Sequence, residues 1–203
     1  MKSGLLVFFL LVAATSARAQ GIADVSQQNI SGHAQALALG SPFGQSFVPN
    51  SLQPLVGVGL ATVDGTGAGD IQVSLYRSDA AGSSLLGSPL ASGSITVAQI
   101  ESYRSGVASP LWFPVYFDKP YGQTPGEHLA FTISGGGTLD FYYASGSAYA
   151  GGRLLADGTK DLTFATLIPE PGTASLFLAG CAFALLGVWK RRNAWMRADE
   201  DSR

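Results

Sequence analysis

Short runs in which apolar and polar residues alternate fill most of the chain between residues 44 and 165, and a period of two marks a half-buried strand. The clearest is Ile71-Gln72-Val73-Ser74-Leu75-Tyr76, with Ile71, Val73 and Leu75 on one face and Gln72 and Ser74 on the other. The same reading predicts strands over Gly44–Val48, Leu55–Val63, Ser94–Ala98, Leu111–Phe117, His128–Ser134, Leu139–Tyr143 and Asp161–Ala165. Turn residues separate them at Asp64-Gly65, Ala81-Gly82, Gly87-Ser88-Pro89, Thr124-Pro125-Gly126, Gly135-Gly136-Gly137 and Asp157-Gly158. One short helix is predicted over Ala98–Tyr103, and no internal repeat is visible. Many short strands at even spacing predict an all-β fold: a single antiparallel two-sheet sandwich of the jelly-roll kind.

The two ends break this pattern. Lys2, the apolar stretch Leu5 to Ala14 and the small-x-small site Ala17-Arg18-Ala19 read as a signal peptide over residues 1–19, cleaved by signal peptidase before Gln20. At the other end, Pro169 and Pro171 fix φ and remove two backbone donors, so Leu167 to Gly172 is expected to be an extended, unpaired strip. Residues 173–189 carry no charge over 17 positions, which suits a transmembrane helix at the short end of the spanning range. Lys190, Arg191 and Arg192 then form a basic stop on the cytoplasmic side. The expected layout is a signal peptide (1–19), an extracellular sandwich domain (20–166) and a tail (167–203).

The whole chain has a formal charge of −2, which hides a split. The middle holds ten acids against only five bases (Arg77, Arg104, Lys119, Arg153 and Lys160). That balance argues against nucleic acid and anionic lipid as partners. The one cysteine, Cys181, lies in the apolar tail, so the exported domain has no disulfide and relies on burial.

Catalytic patterns are sparse. There is no Gly-x-Ser-x-Gly elbow, and the two histidines, His33 and His128, lack a partnered zinc motif. Glu101 and Glu127 are the only glutamates of the middle region. A glycan hydrolase stays open only because its two carboxylates are paired in space rather than in sequence. The expectation is a non-enzyme without a cofactor. The glycine-rich run Asp64 to Asp70 precedes a strand rather than a helix, so it does not fit a phosphate loop. Asp64 and Asp70 offer a calcium loop only in outline, and a plain hairpin loop accounts for the same residues.

Aromatic placement is the best guide to a ligand. On Leu111 to Phe117 the odd positions can fill a core, which leaves Trp112, Pro114 and Tyr116 on the opposite face with the two rings ~13 Å apart. Pro114 pushes that strand toward a sheet edge. Exposed rings on a sheet face are what sugar faces stack upon, and Tyr142, Tyr149 and Arg153 are further candidates for such a carbohydrate site. The alternative is that these rings are covered and serve packing.

The order Ile168-Pro169-Glu170-Pro171-Gly172, apolar run, Lys190-Arg191-Arg192 resembles the PEP-CTERM tail of exported Gram-negative proteins. That resemblance implies recognition by an exosortase in the inner membrane and processing at Pro169, Glu170 and Pro171. It also implies a place at the cell surface or in an exopolysaccharide-rich biofilm matrix. Between the ends, Gln45-Ser46-Phe47, Val73-Ser74-Leu75-Tyr76, Gly126-Glu127-His128-Leu129-Ala130-Phe131, Tyr149-Ala150-Gly151-Gly152-Arg153 and Asp161-Leu162-Thr163-Phe164 resemble exported β-sandwich domains of the choice-of-anchor kind. This second resemblance implies a fold and no activity.

Overall fold

A computed structural model describes residues 21–35, 42–63, 68–104, 109–146 and 148–170. The signal-peptide positions Ala17 and Ala19, the tail residues Pro171, Lys190, Arg191 and Arg192, and the apolar run 173–189 lie outside the described residues. Among those described, no helix is long and apolar enough to cross a membrane.

The strands, in chain order, are β1 (Gly21–Gln27), β2 (Gly32–Gln35), β3 (Gly44–Phe47), β4 (Leu55–Thr62), β5 (Ile71–Ser78), β6 (Leu85–Ile95), β7 (Leu111–Tyr121), β8 (Leu129–Gly135), β9 (Asp140–Ser145), β10 (Lys160–Leu162) and β11 (Phe164–Pro169). One helix, α1 (Val97–Arg104), joins β6 to β7. A seven-stranded sheet runs β1-β11-β4-β9-β10, with β2 added on β9 and β7 on β4; a four-stranded sheet runs β3-β8-β5-β6. Every pairing is antiparallel. The two sheets pack face to face as an all-β sandwich.

Alternation decides what lies between them. Ile71, Val73 and Leu75 of β5 are buried, as are Leu111, Phe113, Val115 and Phe117 of β7. Phe47 and Phe131 from the smaller sheet meet Phe164 from the larger one, with ring centroids 5.5–6.3 Å apart. Tilted aromatic contacts at this separation add to what burial alone supplies.

A polar stitch crosses the same core. Gln45 of β3 and Asp161 of β10 are both fully buried. Gln45 Nε2 donates to Asp161 Oδ1 (2.9 Å), and Gln45 Oε1 accepts the Leu162 N–H (2.8 Å). The other carboxylate oxygen, Asp161 Oδ2, accepts the Tyr149 N–H at 2.9 Å. Two segments 116 residues apart in the chain are thus joined by their polar side chains.

The sheets also close on each other along one side. A Cβ built on Gly93 of β6 would lie 1.9 Å from the backbone oxygen of Tyr116 on β7. Only glycine allows these two edge strands of different sheets to approach so closely.

The structure departs from the sequence expectation in three places. The strand expected over Ser94–Ala98 is β6, which spans Leu85–Ile95 and gives way to α1 at Val97. The turn residues Gly87-Ser88-Pro89 lie inside it, where its register against β5 shifts between Leu75 and Arg77. β6 pairs with β5 alone, so this is an edge strand, which tolerates both proline and a bulge. Secondly, β1 and β2 have no counterpart in the predicted strands. Their alternation is weak, and they are strands because they pair with β11 and β9. Thirdly, the strand expected over Asp161–Ala165 and the unpaired strip expected from Leu167 are instead two strands parted at Thr163, β10 on β9 and β11 between β1 and β4, the latter paired through Pro169. Leu167, Ile168 and Pro169 pair with Ala23, Ile22 and Gly21, and Leu167 also faces Gly57 of β4. The sandwich therefore continues past Thr166, with its last strand inside the sheet.

Candidate functional site

β7 is held in the sheet by β4 alone, in agreement with the edge position expected from Pro114. Its odd residues enter the core, so Trp112, Pro114 and Tyr116 stand half-buried on the outer face of the larger sheet. Together with Tyr103 of α1 they line a shallow apolar groove of about 300 Å³. Three small residues, Gly21, Gly59 and Ala165, are also part of its lining. A Cβ on Gly59 of β4 would come 3.8 Å from the Trp112 ring and 3.8 Å from the Cβ of Ala165 on β11. Beside the indole the backbone is therefore open to a flat ligand.

Helix α1 forms the other wall. Thr96 caps it in a reciprocal arrangement: Gln99 Oε1 accepts the Thr96 N–H at 2.9 Å, and Thr96 Oγ1 accepts the Gln99 N–H at 3.4 Å. Asp70 adds to this end, its Oδ1 accepting the Val97 N–H at 2.9 Å. Only Ile100 of the helix is buried, which leaves Tyr103 40 % exposed and facing β7. A second, more polar lobe of about 500 Å³ shares Tyr103, Pro114 and Tyr116 with the first and adds Ser94, Gln99, Ser102 and Asp118. Aromatic faces with hydroxyl, amide and carboxylate groups around them are suited to hold a sugar chain by stacking and hydrogen bonds.

The five residues expected of a carbohydrate site do not all meet. Trp112 and Tyr116 share the groove. Tyr142 belongs to β9 of the same sheet, but its ring packs edge-on against His33, with centroids 5.8 Å apart, and its hydroxyl lies 2.5 Å from Ser109 Oγ. Tyr149 packs edge-on against Phe164 at 5.6 Å, and its hydroxyl accepts the Val48 N–H at 3.3 Å. Burial raises its phenol above the usual tyrosine value. Arg153 lines a small separate cleft of about 180 Å³ with Ser46, Ser78 and His128. Tyr149 and Arg153 therefore stand apart from the groove.

Tyr103, Gln99, Ser102 and Asp118 were not among the residues the sequence singled out. For Tyr103 a signal existed: a predicted helix with one apolar anchor leaves its tyrosine exposed. For the rest none did, because the helix-to-strand contact that gathers them is tertiary.

The calcium reading finds no support at Asp70, whose carboxylate caps α1, while Asp64 lies outside the described residues. Among the described residues, no group of three or more histidine, cysteine or acidic side chains could hold a metal ion. Comparison with models of known protein families gives no match, and comparison with curated proteins gives none either.

Proposed function

We propose that this chain is an exported, non-catalytic protein of the cell surface or extracellular matrix of an exopolysaccharide-forming Gram-negative bacterium. In this reading a PEP-CTERM-type tail delivers it: signal peptidase removes residues 1–19, and the apolar run 173–189 holds the chain in the inner membrane. Lys190, Arg191 and Arg192 stop transfer, and an exosortase acts at Pro169, Glu170 and Pro171. The exported part is a jelly-roll-like domain of the choice-of-anchor kind. The observation that carries the delivery is the order of tail elements in the sequence. β11 ends at Pro169 opposite Gly21, so the first and last described strands meet at one end of the sheet.

Intact mass and C-terminal peptide mapping of the protein from its host, with and without the exosortase, test this reading. The expected product ends between Pro169 and Gly172, only when the enzyme is present, and keeps the whole of β11. A product that retains Trp189 to Arg203 in both strains would leave an ordinary membrane anchor and remove the main support for a matrix role.

A second reading is favoured by the groove: the domain binds a glycan, with exopolysaccharide as the natural partner. Trp112, Tyr116 and Tyr103 line one continuous surface, as a stacking platform requires. The glycan-hydrolase alternative is weaker, because Asp118 is the only carboxylate among the described lining residues and hydrolysis ordinarily uses two. Trp112→Ala is expected to weaken retention of the host polysaccharide in a pull-down about tenfold or more, the loss of one aromatic stacking face. Unchanged retention by a folded variant would return these rings to a packing role.

A further inference from the structure

We propose that the groove takes glycan chains whose pyranose residues carry protonated amino groups, an inference that rests on the glycan-binding reading above. The argument comes from the charge around the aromatic rings. Asp118 is the only charged side chain among the described residues that line either lobe. It is exposed and makes no ion pair among the described residues. Arg104 and Lys119, the nearest bases in sequence, are not lining residues. The segment 105–108, Ser-Gly-Val-Ala, has no charge to add.

Asp118 follows Tyr116 by two positions on β7, so both project from the same face, ~7 Å apart along the strand. Tyr103 lies across the groove from them. A sugar stacked between the two phenol rings would bring its substituents within reach of that carboxylate. An ammonium group there gains both the carboxylate and the negative faces of the rings. A hydroxyl gains a hydrogen bond alone. A uronate places like charge beside Asp118, with no guanidinium or ammonium in the lining to pair it. The lobe therefore ranks amino sugars above neutral ones and neutral ones above uronates.

The spacing also sets the length recognised. Trp112 and Tyr116 are ~13 Å apart at strand rise, wider than a single sugar ring. One chain can engage the indole with one residue and the tyrosine pair with another, so oligosaccharides bind better than monosaccharides.

The test uses the full-length chain in a detergent without a sugar headgroup and a slightly acidic buffer. Titration calorimetry compares chitosan, cello- and galacturonan oligosaccharides of equal length. The expected result is binding of the chitosan oligosaccharide about fivefold tighter than the neutral one, with the galacturonan weakest. Added salt should narrow the gap. Asp118→Asn, a change at an exposed position, should remove the preference, bringing the chitosan affinity to within about twofold of the neutral oligosaccharide's. Equal or tighter binding of the galacturonan, or a chitosan preference that survives Asp118→Asn, would overturn the charge assignment while the glycan reading stood. Binding that persists fully in Trp112→Ala would overturn it by placing the site elsewhere. Failure of all three oligosaccharides to bind would overturn the glycan reading itself.

Discussion

Asp161→Ala is expected to lower the unfolding free energy by about 4 kcal/mol, a large share of the whole stability of a domain this size. The carboxylate is fully buried and accepts from Gln45 Nε2 on one oxygen and from the Tyr149 N–H on the other. Truncation leaves the part-buried Tyr149 N–H and one of the two Gln45 Nε2 hydrogens without an acceptor, the other staying on the Ser46 carbonyl at 3.2 Å, and an orphaned buried donor costs ~1–3 kcal/mol. It also frees Gln45, whose Oε1 holds the Leu162 N–H. The melting temperature should fall by roughly 8–16 °C. Asp161→Asn separates charge from shape. The amide has one oxygen where two acceptors are needed, so one donor faces an NH₂ group and about half of the loss should remain. A double-mutant cycle with Gln45→Ala, read by urea denaturation, should show strong coupling between the two residues. A loss below about 1 kcal/mol for Asp161→Ala would mean that the stitch contributes little to stability.

Gly93→Ala is expected to cost about 3 kcal/mol, while Gly59→Ala is close to neutral. Both are glycines within strands, and strand propensity alone would favour alanine at each. What differs is the far side of the missing Cβ. At Gly93 it would meet the Tyr116 backbone oxygen at 1.9 Å and the Phe117 Cα at 3.0 Å, and backbone cannot rotate away as a side chain can. The two edge strands must separate, which disturbs Tyr116 and the polar lobe of the groove. At Gly59 the nearest atoms are 3.8 Å away, an ordinary contact. Thermal melts of the two variants, recorded side by side, check the contrast. Equal melting temperatures would show that β6 and β7 do not press together as described.

Much of this was legible in the chain because burial leaves a period. β5 and β7 carry their core residues at every second position, and the half-buried Trp112, Pro114 and Tyr116 follow from the same count. The proline in β7 marked an edge strand because a proline nitrogen has no proton for a neighbour. Where the period is weak the reading failed. In β6, edge exposure lets Gly87, Ser88 and Pro89 sit within a strand. In β1, the buried residues include the polar Gln27, whose side chain bonds to its neighbour Asn29. Likewise nothing in the spacing of β4 shows that its Gly59 lines the groove beside Trp112.

By itself the sequence determined the class of fold and the faces of its stronger strands. These depend on local spacing and on neighbours along the chain. Tertiary structure alone decided that Gln45 meets Asp161, that Gly93 lies against β7 and that Tyr103 faces Tyr116. It also separated Tyr149 and Arg153 from Trp112, although all had the same standing in the sequence. Contacts between distant segments depend on how two sheets are stacked and closed, and alternation along a strand records which face is buried but not what it is buried against.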